Sequence, residues 1–135
     1  MVLEEASAFI RTESDIYIAQ KKARGLCELI GFSQIDEISI CTVVLELSKN
    51  IYNYAKEGQV IFRVIEDDDK LGLEMTFKDK GPGIPHIDSI LSGEYKSQNG
   101  LGKGIIGSKN LSDFFEIDTQ PNKGTYIRII KWKKN

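Results

Sequence analysis

The spacing of the hydrophobic residues changes at Gly58, and this change limits the folds that the chain can adopt. Before Gly58, apolar residues recur at roughly helical spacing in two stretches, which predicts one helix that stops at Gly31 and a second that begins at Ser33. After it, residues 60–65 alternate in the manner of a strand, and residues 71–78 return as a second strand. The chain is therefore expected to combine helices with paired strands.

Weaker patterns complete the predicted order of elements. Residues 8–11 are expected to form a first strand, and Ser14 is expected to be the N-cap of the first helix. Residues 114–119 and 125–132 predict a final hairpin. Between the two hairpins, residues 81–107 hold seven glycines and two prolines, so that this stretch cannot be one regular element.

Short helices are expected within the glycine-rich stretch, at residues 87–91 and 104–112. The resulting order is a strand, two helices, two strands, the glycine-rich stretch, a helix and two strands. It predicts an α/β (α+β) two-layer sandwich, with the helices on one face of a mixed, mostly antiparallel sheet. The strict β-α-β alternation of a doubly wound nucleotide-binding fold is not present.

Composition excludes several classes of function. A length of 135 residues fits one domain, and a net charge of −2 gives no general affinity for nucleic acid or for an anionic membrane. No apolar run approaches the roughly 18 residues that a membrane span needs. Cys27, Cys41 and the single His86 do not form a zinc pattern. The two cysteines are expected to be buried thiols in a reducing compartment, which predicts a cytoplasmic protein.

Glu46 and Asn50 lie four residues apart on the second predicted helix, so their side chains share one face. An amide oxygen is a hard ligand that suits Mg²⁺, and a nearby carboxylate can accept a proton from an attacking hydroxyl or water. Taken alone, such a pair is more often simply exposed to solvent. The pair is therefore a candidate phosphate end of a site only in combination with other features.

Asp79 ends a predicted strand and precedes Gly81 and Gly83. A carboxylate at this place can accept a hydrogen bond from an exocyclic amine, and the glycines let the backbone approach a flat ring. A surface turn explains the segment equally well, since Asp, Gly and Pro are common turn residues. Thr125 begins the last predicted strand, where its hydroxyl can meet the edge of a base, although an ordinary β-branched strand residue is the simpler explanation.

Gly100, Gly102 and Gly104 lie at or just before a predicted helix start, with Lys103 among them. Unpaired N–H groups at a helix N-terminus favour phosphate, and a lysine can add a positive charge. The stretch is neither a P-loop nor a dinucleotide-binding fingerprint, because its spacing and its sequence context differ from both. A flexible surface loop is the alternative explanation.

In this order, the segments resemble the GHKL (Bergerat-fold) ATP-binding family, which includes histidine kinases, gyrase-type ATPases and bacterial anti-sigma serine kinases. The resemblance spans nearly the whole chain, so that residues 1–135 are expected to form one GHKL-type domain. Residues 45–55, 79–85 and 129–132 look most like the switch serine/threonine kinases of the stressosome. The resemblance implies these roles: Glu46 as catalytic base, Asn50 as Mg²⁺ ligand, Asp79 as acceptor for the adenine amine, Gly81 and Gly83 as shaping the base pocket, Gly100, Gly102, Lys103 and Gly104 as the phosphate lid, and Thr125 as a further nucleotide contact.

The resemblance implies an ATP- and Mg²⁺-dependent serine/threonine-protein kinase. Its expected partners are STAS-domain scaffold or antagonist proteins, which it phosphorylates, and a PP2C-type phosphatase, which it activates by binding. No nucleic-acid or membrane partner is expected. Two alternatives stay open: an anti-sigma factor that phosphorylates its antagonist, and a nucleotide-regulated binding module without turnover. A histidine kinase fragment or a gyrase-like ATPase is disfavoured, because the chain lacks a phosphoacceptor helical hairpin and a transducer domain.

Overall fold

The computed structural model of the protein describes residues 1–93 and 101–134. The elements, in chain order, are β1 (Val2–Ile10), α1 (Glu13–Ile30), α2 (Gln34–Asn50), a π-helical turn (Ile51–Ala55), β2 (Gly58–Asp67), β3 (Lys70–Asp79), α3 (Ile87–Ser92), α4 (Leu101–Leu111), β4 (Phe114–Gln120) and β5 (Gly124–Trp132). None of the described helices is long and apolar enough to cross a membrane.

The strands form one five-stranded sheet in the order β1-β2-β3-β5-β4, and each neighbouring pair is antiparallel. The two-layer α+β architecture is confirmed, but the sheet is antiparallel throughout rather than mixed. The reason lies in the position of β5. Strands β3 and β4 run in the same direction, but β5 lies between them and pairs with both, so no parallel pair forms.

The core lies between the sheet and the helices. Alternate residues of the central strands, such as Phe62, Met75 and Ile129, are buried on the face that the helices cover. Helix α1 packs against β1, β2 and β3, and α2 packs between α1 and α4. Val44 and Leu47 of α2 are almost fully buried, which fixes the rotation of this helix and leaves Glu46 and Asn50 beside the core rather than in it.

The ends of the helices show which local predictions hold. Ser33 is the N-cap of α2, as predicted, and its hydroxyl accepts a hydrogen bond from the N–H of Asp36 at 3.2 Å. The N-cap of α1 is Thr12 and not Ser14, which lies inside the first turn. The Asp15 carboxylate decides between them, because it accepts the N–H of Thr12 at 2.9 Å while the Thr12 hydroxyl accepts the N–H of Asp15.

The outer face of the sheet carries a ladder of alternating charges, one on each strand. The ladder consists of Glu5, Arg63, Glu74, Arg128 and Glu116. Glu74 is its centre, because Arg63 lies 3.3 Å from one carboxylate oxygen and Arg128 lies 3.0 Å from the other. These ion pairs tie β2, β3 and β5 together on the side of the sheet away from the helices.

Candidate active site

A π-helical turn directly follows Asn50 and begins the site. The sequence predicts that the second helix continues to about Gly58, but its regular α-helical part ends at Asn50 and a π-helical turn occupies Ile51–Ala55. Lys56, with a φ of 75°, ends this turn. Wide turns of this kind often occur at functional sites. Here the turn brings Tyr54 and Ala55 to the wall of a cavity.

The cavity has a volume of about 460 Å³, which is in the size range of small-molecule sites. It lies between the end of α2, strands β3 and β5, and residues 82–85. Most of its wall is apolar, with Phe77 and Ile127 from the sheet facing Ile51 and Ile84. Its polar side chains include Asn50, Asp79 and Thr125. An apolar space with a few polar groups suits a flat heterocyclic ligand.

Asp79, the last residue of β3, lines the cavity and is half-buried. One of its carboxylate oxygens accepts the N–H of Gly81 at 2.8 Å. Burial raises the pKa of Asp79, and the backbone N–H groups of Gly81 and Thr125 partly oppose that rise. The carboxylate is therefore held in place by the backbone and can accept a hydrogen bond from a ligand.

The two glycines that follow Asp79 are needed where they stand. A Cβ atom on Gly81 would lie 2.6 Å from the Cβ of Ala55, so a larger residue would push the π-helical turn away from β3. Gly83 has a φ of +82°, and a Cβ atom there would collide with the carbonyl oxygen of Gln120. Both glycines therefore allow backbone segments to approach each other closely beside Asp79.

Thr125 and Asp79 are directly opposite each other on neighbouring strands, β5 and β3. On its other side, Thr125 is opposite Thr119 of β4, and the hydroxyl oxygens of the two threonines are 2.9 Å apart. The Thr119 hydroxyl also accepts the N–H of Ile84 at 2.8 Å. Three polar residues thus form a row across β3, β5 and β4 beside the cavity.

Glu46, Asn50 and Gly104 lie close together where α2 meets α4. A Cβ atom on Gly104 would lie 3.3 Å from Oε2 of Glu46 and 3.9 Å from Nδ2 of Asn50. Gly104 lies in the first turn of α4, so this helix begins directly beside the two α2 side chains. The absence of a side chain at Gly104 leaves open space beside these two side chains, between α2 and α4.

Asn50 is suited to hold a metal ion. Its buried Nδ2 atom has no hydrogen-bond partner among the described residues, so the amide is available to a ligand. An amide can present either its oxygen or its nitrogen to a site, and the oxygen is a hard ligand of the kind that Mg²⁺ prefers. No group of three or more His, Cys, Asp or Glu side chains that could together hold a metal ion occurs in the described part of the chain. This donor set fits Mg²⁺, which takes few protein ligands and keeps phosphate oxygens and waters.

The structure brings most of the predicted residues together. Four of them line the cavity: Asn50, Asp79, Gly83 and Thr125. Gly81 adjoins it through Asp79, and Glu46 and Gly104 lie beside Asn50 without being part of its described lining.

The predicted phosphate lid is only partly described. Helix α4 begins at Leu101 rather than at Gly104, so Gly102, Lys103 and Gly104 are helical. Gly102 is buried and Lys103 is exposed. Gly100 lies outside the described residues.

Several residues of the site were not predicted. The sequence assigns Leu47, Ile51 and Tyr54 to packing on the sheet, whereas all three also line the cavity. Their position within eight residues, around Asn50, is the sequence pattern that places them there. Pro121 lines the cavity from the turn of the last hairpin, and Thr119 lies behind the cavity opposite Thr125; neither shows such a pattern, because the pairing of β4 with β5 brings them in.

Comparison with known proteins identifies the family. Residues 35–135 match the family described as histidine kinase-, DNA gyrase B-, and HSP90-like ATPase. The chain is 36% identical over 129 residues to the serine/threonine-protein kinase RsbT of Bacillus subtilis (strain 168), with 96% of this chain and 97% of that protein covered. It is 34% identical over 106 residues to the anti-sigma F factor of Oceanobacillus iheyensis, with 72% and 70% covered.

A solved structure shows the same fold. The crystal structure of the SiaB–SiaC complex from Pseudomonas aeruginosa contains a chain that matches with a TM-score of 0.58 and 13% identity. The match covers 97% of this chain and 90% of that one, and at this identity it concerns the fold alone. The sequence match, the antiparallel α+β fold and the cavity agree, and the chain therefore belongs to the histidine kinase-, DNA gyrase B- and HSP90-like ATPase family.

Proposed function

We propose that this protein is an ATP- and Mg²⁺-dependent serine/threonine-protein kinase that phosphorylates STAS-domain proteins in a bacterial partner switch. One observation supports this most strongly. The same cavity is lined by Asp79 and by Asn50, and Asn50 adjoins Glu46 and the first turn of α4. Similarity to RsbT over nearly the full length of both chains supports the same activity.

Asp79 recognises the adenine base in this proposal. Its carboxylate is held by the N–H of Gly81 and accepts from the exocyclic amine, while Phe77 and Ile127 lie along the ring. Gly81 and Gly83 keep the surrounding backbone close enough to exclude water from the base. Adenine binding then orients the triphosphate toward Asn50.

Asn50 and the start of α4 hold the phosphate end. Asn50 is the residue that would hold Mg²⁺, which would supply neutralisation of charge on the phosphate oxygens. Gly102, Lys103 and Gly104 lie in the first turn of α4, where backbone N–H groups and the lysine side chain can bind phosphate. Most of the catalytic effect then comes from positioning and charge neutralisation.

Glu46 is the base that accepts the proton of the acceptor hydroxyl. Its carboxylate lies beside the space that Gly104 leaves open, one helical turn from Asn50. The solvent-facing side of α2 next to it carries Thr42 and Lys49, both exposed, so a protein substrate can approach Glu46 from solution. A glutamate at this point is expected to contribute about 100-fold or more to the rate.

The wider role is a cytoplasmic switch. After phosphorylating its STAS-domain scaffold, the kinase is released and activates a PP2C-type phosphatase by binding to it. Two buried free cysteines, Cys27 and Cys41, fit a reducing compartment. The similarity to an anti-sigma F factor favours a second candidate function, an anti-sigma factor that phosphorylates its own antagonist with the same site.

Phosphotransfer with Mg-ATP and candidate STAS-domain proteins tests the proposal. Mass spectrometry should locate phosphate on a serine or threonine of the partner. Glu46→Gln should lower the rate by about 100-fold or more, with ATP affinity changed by less than about threefold, because the base acts only in the chemical step. Glu28→Gln, an exposed glutamate on α1, is the matched control and should keep the wild-type rate.

Each contrary result excludes a defined part of the proposal. A wild-type rate in Glu46→Gln would remove the assignment of the base. Capture of a sigma factor without any STAS-domain partner would favour the anti-sigma function. ATP binding without phosphotransfer to any candidate partner would favour a nucleotide-regulated binding module.

A further inference from the structure

We propose that Thr119 is a positioning residue for base recognition: its hydroxyl directs the proton of Thr125 into the cavity, where Thr125 donates to a ring nitrogen of adenine. The inference rests on the proposed ATP site. Thr119 does not line the cavity among the described residues, so it acts through Thr125 and not on the base itself. Neither the family match nor the sequence pattern singles out this residue.

The hydrogen bonds of Thr119 place it behind the site. Its Oγ1 atom accepts the N–H of Ile84 at 2.8 Å and lies 2.9 Å from Oγ1 of Thr125. A longer contact, 3.4 Å, joins the same oxygen to the carbonyl of Gly124. One hydroxyl therefore connects the segment that follows Asp79 with the start of β5.

Counting protons gives the direction of the hydrogen bond between the two threonines. A threonine hydroxyl has one proton and two lone pairs, and the Ile84 N–H occupies one lone pair of Thr119. The 3.4 Å contact to Gly124 exceeds the usual length of an O–H···O bond, whereas the 2.9 Å contact to Thr125 is within it. The Thr119 hydroxyl therefore donates its hydrogen bond to Oγ1 of Thr125. The hydroxyl proton of Thr125 is then left to donate to a ligand.

Asp79 and Thr125 then present an acceptor and a donor side by side. They occupy directly opposite positions on β3 and β5, and both line the cavity. Adenine carries the complementary pair, because its amine donates and the adjacent ring nitrogens, N1 and N7, accept. Guanine has a carbonyl oxygen where adenine has the amine, and this oxygen would face the Asp79 carboxylate. The hydroxyl pair therefore adds to the preference for adenine.

Thr119→Val tests the inference, since valine keeps the shape of threonine and removes the hydroxyl. Affinities for ATP, 1-deaza-ATP and 7-deaza-ATP are measured by titration of the full chain. One of the two analogues lacks the ring nitrogen to which Thr125 donates. Wild type should bind that analogue about tenfold more weakly than ATP. Thr119→Val should lose that discrimination while its affinity for that analogue stays within about twofold of wild type. Thr119→Ser retains the hydroxyl and should restore the discrimination.

A merely structural role of Thr119 predicts a different result. Loss of the Ile84 hydrogen bond alone would weaken all three nucleotides equally, and this outcome would overturn the inference, as would wild-type discrimination in Thr119→Val. In a Thr125→Val background, Thr119→Val should cause no further loss of discrimination; a further loss would also contradict action through Thr125.

The failure of this inference can be told apart from failure of the proposed ATP site. If wild type binds no ATP, or if Asp79→Asn leaves ATP affinity unchanged, the base-binding site itself is wrong and the inference falls with it. If wild type binds ATP in an Asp79-dependent way and Thr119→Val still discriminates normally, only the role of Thr119 is wrong.

Discussion

At the scale of the single residue, ligand binding and folding favour different protonation states of Asp79. In the proposed ATP site the charged carboxylate is the form that would accept a hydrogen bond from the adenine amine, but burial raises the pKa of this group. A raised pKa in the folded protein means that the neutral form is favoured by folding, and this stability is present at acid pH and is lost as the pH rises through the folded pKa. At neutral pH, the charge on Asp79 therefore lowers the stability of the protein without nucleotide.

Asp79→Asn should for this reason bind ATP more weakly and yet melt at a higher temperature than wild type. The amide presents a donor to the adenine amine, so ATP affinity should fall by about tenfold or more in a titration. Without ATP at pH 7, thermal unfolding should occur at a higher temperature in the variant, and the difference should shrink as the pH falls toward about 4.

The exposed Asp118 of β4 provides the control for this substitution, and Asp118→Asn should change neither ATP affinity nor the pH dependence of unfolding. Unchanged ATP affinity in Asp79→Asn would remove Asp79 from base recognition. An Asp79→Asn protein that is less stable than wild type at pH 7 would show that the backbone hydrogen bonds to the carboxylate outweigh its burial.

At the scale of the element, α4 is a helix held at its far end while its first turn faces the site. Ile105 is fully buried, and the Ser108 hydroxyl donates to the carbonyl oxygen of Gly104 at 2.8 Å. The ammonium group of Lys131 donates to the carbonyl oxygen of Leu111 at 3.0 Å, which anchors the C-terminal end to β5. The position of Gly104 beside Glu46 is therefore fixed by packing and hydrogen bonds of the whole helix.

Two glycines of α4 allow a matched comparison. Gly104→Ala places a methyl group 3.3 Å from Glu46, which should displace that side chain and reduce both Mg-ATP binding and phosphotransfer by about tenfold. Gly107 has no atom within 4 Å of its virtual Cβ, so Gly107→Ala should keep full activity and raise the free energy of unfolding by about 0.5–1 kcal/mol. Kinase assays measure the effect on activity, and urea unfolding measures the effect on stability. Wild-type activity in Gly104→Ala would contradict the close approach of α4 to Glu46.

At the scale of the whole molecule, the charge ladder holds the sheet together from the side that the helices leave uncovered. Its centre, Glu74, has a side chain that is only 10% exposed and pairs with two arginines, whereas Glu116 at the end is 52% exposed and 4.0 Å from Arg128. A buried charge between two partners matters far more to stability than an exposed pair at the rim.

Glu74→Gln should consequently destabilise the protein by about 1–3 kcal/mol, because it removes the negative charge between Arg63 and Arg128. Glu116→Gln should change the free energy of unfolding by less than about 0.5 kcal/mol. Urea unfolding of both variants at low and high salt measures the difference. Equal effects of the two substitutions would show that Glu74 contributes no more to the stability of the protein than Glu116 does.

Local features of the fold could be predicted from the sequence, and features set by strand pairing could not. Ser33 was identified as an N-cap because its partner, Asp36, is three residues away. The prediction of Ser14 as the N-cap of α1 was wrong, because Thr12 and Ser14 are equally good candidates until the position of the Asp15 carboxylate is known. The π-helical turn has no sequence signature, and the insertion of β5 between β3 and β4 depends on long-range pairing.

The residues of the candidate site divide in the same way, into those that the local sequence identifies and those that strand pairing brings together. Glu46, Asn50 and Asp79 were found because they stand in short segments whose residue types match their chemistry. Thr119 was not, because its hydrogen bonds join three segments that are adjacent only in the folded sheet. Gly102 was expected in a lid before the helix and lies in the first turn of α4, since the glycine-rich stretch gives no clear helix start.

The row of Asp79, Thr125 and Thr119 has a consequence for the protein during its synthesis. Asp79 leaves the ribosome with β3, well before its neighbours on β4 and β5 are made. Until β5 has paired with both strands, Asp79, the proposed acceptor for the base, has no Thr125, the proposed donor, beside it. A nucleotide stabilises only the state that binds it, so ATP can favour the folded form of this chain only after its last strand has joined the sheet.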